Sequence, residues 1–237
     1  MLKPEAKKIA VKIASQIILK IAAQIADTGV RTGALKYRRT RNPSDDIEID
    51  RTVECYIEQA EGDIRDHLVT SVRIPERRAF VLMLDRSYSM RGVKIVRAAI
   101  TAAAVAIRFR QDYGVISFSS QAQTLKGLKS RLGPETLIEK IFHLELKGET
   151  DIAAALQAAL YEMAGYPVKI GLLLTDGNWN RGQDPLQMAP LYDALHVICF
   201  PPARPHVIEQ LAQAGKGTFA FVEDEQGIVR ALRQSLG

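Results

Sequence analysis

Four apolar residues, Val81-Leu82-Met83-Leu84, run straight into Asp85-Arg86-Ser87-Tyr88-Ser89-Met90. A strand with one wet face alternates apolar and polar side chains, so an unbroken apolar run reads as a strand covered on both faces. The polar stretch is then the loop at that strand's C-terminal end. The largely apolar segment 92–109 reads as the helix that follows. Strand, oxygen-rich loop and helix, in that order, is how an open α/β sheet presents a ligand site. Asp85, Ser87 and Ser89 contribute one carboxylate and two hydroxyls. Those are hard donors, suited to magnesium or manganese rather than zinc.

From residue 78 onward the pattern is regular. Strand candidates fall at 80–84, 113–119, 122–128, 169–174, 194–200 and 217–222. Helix candidates fall at 92–109, 134–142, 151–164, 184–192, 204–214 and 224–235. Their alternation argues for a mostly parallel sheet with helices on both faces. The candidates at 113–119 and 122–128 are too close in sequence for a crossover, so they must form an antiparallel hairpin. The expected fold is an α/β, doubly wound, Rossmann-like domain over residues 78–237. It has six strands, mostly parallel, with one antiparallel edge strand. A chain of 237 residues, 47% of them hydrophobic, can bury such a core, and at 6% aromatic that core is aliphatic.

Residues 1–77 are expected to be a mainly helical N-terminal extension that wraps the domain. Ile9, Ile13, Ile17, Ile21 and Ile25 recur every four residues, beside Lys8, Lys12, Gln16, Lys20 and Gln24. This is the pattern of an amphipathic helix over residues 3–27, its aliphatic stripe packed on the main domain. Lys12 and Lys20 interrupt the apolar run that a signal peptide or a membrane span needs. Residues 29–44 read as a break, with Gly29, Gly33 and Pro43 around the basic cluster Lys36-Tyr37-Arg38-Arg39-Thr40-Arg41. That cluster is read as a solvated loop answered by Asp45-Asp46. Nucleic-acid contact through the interleaved tyrosine and arginines is the alternative. Asp46 to Asp50 alternates like a short extended piece ahead of a short helix. His67 to Ile74 alternates like a strand that turns at Pro75.

Composition narrows the function classes. A net charge of +5 permits acidic partners without demanding them. Cys55 and Cys199 are distant from each other and belong to no metal-ligand cluster, so no disulfide scaffold is expected. A reducing, cytoplasmic compartment is the default for such a chain. His67, His143, His196 and His206 are scattered, with no metal-binding spacing.

Two further segments supply oxygen donors. Lys147-Gly148-Glu149-Thr150-Asp151 precedes an alanine-rich helix. Thr150 reads either as a hydroxyl ligand or merely as that helix's N-cap, with Asp151 in the first turn, where its charge suits the helix dipole. Ile170-Gly171-Leu172-Leu173-Leu174-Thr175-Asp176-Gly177 is a second buried strand ending in an aspartate. One strand-end aspartate can cap a loop. Two of them with three hydroxyls, on one rim of one sheet, make a candidate cation cage.

In order and spacing, Asp85-Arg86-Ser87-Tyr88-Ser89, then Thr150, then Asp176 resemble the metal-ion-dependent adhesion site of von Willebrand factor A domains. The resemblance covers residues 78–237. It implies that Ser87 and Ser89 bind a magnesium or manganese ion directly and that Asp85 and Asp176 act mainly through water. It implies that Thr150 joins directly or through water, and that one coordination position is left for an acidic residue of a protein partner. Tyr88 stands where many relatives carry glycine, and Gly148-Glu149 stand where they carry a glycine pair. Upstream, Asp46 to Glu54 and Arg77 to Val81 are similar to bacterial A-domain proteins that work with MoxR-type AAA+ ATPases, the CoxE-like group and chelatase D-subunit relatives among them. That implies an intracellular partner of a hexameric ATPase, acting in protein-complex remodelling or metal-cofactor insertion. The expected function is a magnesium-dependent protein-interaction module and not an enzyme. No general base or nucleophile stands beside the site, and there is no phosphate-cradling glycine loop, triad spacing or Walker motif.

Overall fold

The computed structural model describes residues 14–24, 34–42, 47–59, 62–74, 78–109, 113–201 and 205–236. The chain divides into two units, Arg31–Arg77 and the remainder. In the larger unit a helix, α1, runs through residues 14–24, with Ile18 and Ala22 in the core. Residues 3–13 and 25–27 of the expected helix lie outside the described residues.

The smaller unit comprises β1 (Ala34–Arg39), α2 (Ile49–Gln59) and β2 (Val69–Ile74). β1 pairs antiparallel with β2, Ala34 opposite Ile74 and Arg39 opposite Val69. This corrects the loop expected over the basic cluster, which is strand as far as Arg39. The reason is that a two-stranded ribbon satisfies the backbone while Tyr37 and the guanidinium groups of Arg38 and Arg39 stay exposed. α2 begins at Ile49, inside the stretch that reads as extended, and Ile47 alone is bridged there, to Thr70. Asp45-Asp46 and the Pro75 turn lie outside the described residues.

The rest of the larger unit runs β3 (Arg78–Asp85), α3 (Val93–Phe109), β4 (Tyr113–Phe118), β5 (Ala122–Lys126), α4 (Pro134–Phe142) and α5 (Ile152–Glu162). It continues with β6 (Val168–Thr175), β7 (Ala194–Cys199), α6 (Pro205–Ala214), β8 (Lys216–Phe221) and α7 (Glu225–Leu236). The sheet order is β5-β4-β3-β6-β7-β8. Every pairing is parallel except β4 with the edge strand β5. This is the expected α/β architecture, strand for strand.

Both faces of β3 are buried, as its unbroken apolar run requires. Phe80, Leu82 and Leu84 enter one core with α1, α3, α4 and α7. Ala79, Val81 and Met83 enter the other with α5 and α6. Alternate residues of an extended chain point to opposite faces, so the single run serves two cores. The inner face of α3 is built largely from Ala98, Ala99, Ala102, Ala103 and Ala106, all buried, which lets its backbone approach the sheet closely.

The helix expected at 184–192 is two short 3₁₀ turns, Pro185–Gln187 and Ala189–Leu191. Asp184 caps the first through the Leu186 N–H, and the ring of Pro190 denies the second turn an α-helical hydrogen bond. A second irregularity lies where β8 meets β7, with a register shift between Leu195 and Val197. Lys216 there has φ 55°, and a Cβ on Gly217 would come within 2.1 Å of the Leu195 carbonyl oxygen. Among the described residues no helix is long and apolar enough to cross a membrane.

Candidate metal centre

Parallel pairing sets β3 beside β6 with Leu84 opposite Leu174, so Asp85 and Thr175-Asp176 emerge together at the C-terminal rim. The chain leaves β3 over one sheet face by α3 and returns to β6 from the other face by α5. Diverging connections of this kind leave a crevice outside the strand ends, the usual place for a ligand in an open α/β sheet.

Asp85 is fully buried. Its Oδ1 accepts the Ser87 N–H at 2.8 Å and its Oδ2 accepts the Thr175 hydroxyl at 2.6 Å. Burial nevertheless pushes its pKa from 3.8 up to about 6, outweighing those two hydrogen bonds, and the nearby Asp176 carboxylate adds a smaller upward push. The 3₁₀ turn Tyr88–Met90 folds the loop so that the Ser87 and Ser89 hydroxyls meet at 2.9 Å. Asp176 is buried as well. Its Oδ2 accepts from the Lys94 ammonium at 2.9 Å, while its Oδ1 is buried without a hydrogen-bond partner.

Thr150 is buried and comes from a segment far away in sequence. The N-cap of α5 is Asp151, whose side chain accepts the Ala154 N–H at 2.9 Å. The capping role is therefore filled by the neighbour, and the alternative reading of Thr150 as a mere cap falls. The Thr150 N–H donates to Asn180 Oδ1 at 3.0 Å, and its carbonyl accepts the N–H groups of Asn180 and Arg181. Gly182, at φ 87°, lets the same loop lie against the Asp151 carboxylate, where a Cβ would collide at 2.2 Å. Main-chain bonds fasten the remaining pieces. Tyr88 N–H donates to the Lys147 carbonyl, Lys147 N–H to the Arg86 carbonyl, and Asp151 N–H to the Ser119 carbonyl.

The structure thus brings the Asp85, Ser87 and Ser89 loop, the Thr150 segment and the Asp176 strand end to one rim. Four residues beside them went unnoticed in the sequence: Thr175, Lys94, Asn180 and Ser119, whose Oγ is buried without a partner. Lys94 carried a signal, as a cation between Val93 and Ile95 at the start of a mostly apolar helix. Arg86 is buried; its guanidinium donates to the Glu145 carbonyl at 3.4 Å, and its Nε is buried without a hydrogen-bond partner. Glu149 is engaged by Arg181, and the exposed Tyr88 ring lies against Gly148.

The donor chemistry fits a hard divalent cation. Among the described residues no three His, Cys, Asp or Glu side chains gather as a metal cluster, so the set is two carboxylates and several hydroxyls. The Cys199 thiol at the end of β7 is pushed up to about 12, by burial first and then by Asp176. In the metal-free protein it is therefore a thiol at neutral pH. The buried, partnerless Asp176 Oδ1 is the strongest single sign of a missing positive ligand, because such an atom is costly unless something satisfies it.

Residues 80–178 match the family model of the von Willebrand factor type A domain, a span that contains all five candidate residues. No curated protein matches the sequence. Among solved structures, an aerotolerance-related membrane protein of Bacteroides fragilis superposes with a TM-score of 0.57 at 16% identity, covering 67% of this chain and 98% of its own. Proximal thread matrix protein 1 of the mussel byssus superposes at 0.56 and 18% identity, over 68% of this chain and 47% of its own. A von Willebrand factor type A protein of Catenulispora acidiphila gives 0.55 and 20%, over 70% of this chain and 43% of its own. The last two are matched over less than half their length. At these identities the likeness is one of fold. Another structure of the mussel protein has zinc in its adhesion-site motif.

Proposed function

We propose that this type A domain binds one divalent cation, magnesium or manganese, in the crevice between β3 and β6, and through it an acidic residue of a protein partner. Ser87, Ser89 and Thr150 supply hydroxyls, and Asp85 and Asp176 supply the negative charge. The cation contributes Lewis acidity toward a partner's carboxylate. The single observation that carries the reading is the buried carboxylate pair, Asp85 and Asp176, one oxygen of which has no partner. The zinc in the mussel protein makes zinc the metal to test against the other two.

A binding role suits the site better than hydrolysis. Asp85 already accepts from Thr175 and Ser87, and Asp176 pairs with Lys94, so neither carboxylate is placed as a general base. The sequence likeness to MoxR-associated proteins supports an AAA+ ATPase as the partner's wider assembly, working in the cytoplasm on complex remodelling or metal-cofactor insertion. The two free cysteines suit a reducing compartment. Nucleic-acid binding through residues 36–41 is the weaker reading. In the small unit the Arg51 guanidinium already lies over the Tyr37 ring, 5.2 Å from its centroid, and occupies a face that a base would stack on.

The chain's one tryptophan, Trp179, lies in the loop after Asp176 and is partly buried. Magnesium chloride titration should therefore change its fluorescence. At about 100 times Kd, magnesium should stabilise the fold by roughly 2.7 kcal/mol, a rise in melting temperature of about 5–11 °C. EDTA should reverse both effects. A pull-down from native extract should retain a protein with magnesium and release it with EDTA. Cation-independent melting together with cation-independent capture would rule the reading out.

A further inference from the structure

The Lys94 ammonium stands 2.9 Å from Asp176 Oδ2, and its side chain is only 15% exposed. It comes from the first turn of α3, directly after the loop that carries Ser87 and Ser89. Buried lysines are rarely tolerated without a partner, and here the partner is a carboxylate of the candidate metal centre. Asp85, Asp176 and the Lys94 ammonium together carry a formal charge of −1. A dication entering the crevice would meet a fixed positive charge already bonded to one of its anions, in a poorly screened setting.

We propose that Lys94 is a tethered counter-cation that holds Asp176 when no metal is bound and competes with the divalent ion for that carboxylate. The inference rests on the metal-binding reading above and adds a regulation to it. With Lys94 in place, a dication makes these three groups and itself net positive. An incoming acidic side chain offsets that charge, so the lysine couples cation occupancy to partner binding. The site fills weakly alone and tightly once a carboxylate arrives.

The test is calorimetric titration of the full chain with magnesium chloride and with manganese chloride, in parallel with melting curves. Lys94→Met keeps the length and apolar stem without the charge. Lys94→Gln keeps a hydrogen-bond donor for Asp176 and guards against a folding defect in the first variant. Both should bind the cation about tenfold more tightly or better than the unaltered chain, since removing a like charge lowers the cost of the dication. Both should also melt lower than the unaltered chain in EDTA and regain that loss with magnesium. Acetate added to the titration should tighten binding to the unaltered chain more than to either variant. Binding by the variants alone would also support the proposal, as its strongest form. If the unaltered chain binds the cation and both variants bind equally or more weakly, the competition is wrong and the metal reading survives. If neither the unaltered chain nor either variant binds, the metal reading falls and this proposal with it.

Discussion

Asp85→Ala should fold and should lose cation binding by about 100-fold or more, since removing even an outer partner of a metal site typically costs roughly 10–100-fold. Cation-dependent capture of the partner should go with it. The expectation that the fold survives comes from two opposed terms. Alanine leaves the Ser87 N–H and the Thr175 hydroxyl without their acceptor, at about 1–3 kcal/mol each. It also removes a carboxylate that burial has pushed from 3.8 up to about 6, a penalty on the order of 3 kcal/mol at neutral pH in the metal-free protein. The two nearly offset. The pH dependence separates them. Between 3.8 and about 6 the folded chain holds a proton on Asp85 that the unfolded chain has released, so metal-free stability falls as pH rises through that window. In Asp85→Ala this contribution disappears. Melting curves from pH 4 to 8 with EDTA, and again with magnesium, check both statements. Wild-type cation affinity in this variant would remove Asp85 from the metal shell.

Gly217→Ala should lower stability by at least about 3 kcal/mol, the upper end of ordinary overpacking, and the melting temperature by about 6–12 °C. The Cβ would sit 2.1 Å from the Leu195 carbonyl oxygen and 2.3 Å from its carbonyl carbon. Both are backbone atoms, so no side-chain rotamer relieves the clash. β8 must then shift away from β7, where its register already slips between Leu195 and Val197. The damage lies at the far end of the β7–β8 pair from Cys199, so the rim should keep its geometry in the fraction that folds. Unfolding in urea gives the size of the loss, and magnesium titration of the folded variant should return an unchanged Kd. A melting temperature within 2 °C of the parent would mean that the β7–β8 pairing is not as close as described.

Much of this was written in local pattern. The run from Val81 to Leu84 named a strand covered twice, and the residues on its two faces do divide between two cores. The two strand-end aspartates marked the rim because each followed such a run. The failures lie where distant chain segments decide. Thr175 bonds Asp85 only because β3 and β6 pair with Leu84 opposite Leu174, a register that neither strand states alone. Residues 36–39 looked like a loop by charge, yet pairing with Val69–Ile74 overrode that composition. The helix expected at 184–192 overlooked the veto of Pro190, which has no N–H to give to an α-helical turn. Asp151 took the cap from Thr150 because a carboxylate one residue later meets the Ala154 N–H.

The cradle's seams are stitched with peptide groups. Arg86 and Tyr88 are tied to Lys147, Ser119 to Asp151, and Thr150 to Asn180 and Arg181 through main-chain atoms. A seam of that kind is indifferent to what hangs from it. The side chains of Tyr88, Lys147 and Arg181 are free to be rewritten over evolutionary time, or in a randomised library, without unpicking the frame. New guests could be admitted or refused by changing the doorposts while the lintel stays in place.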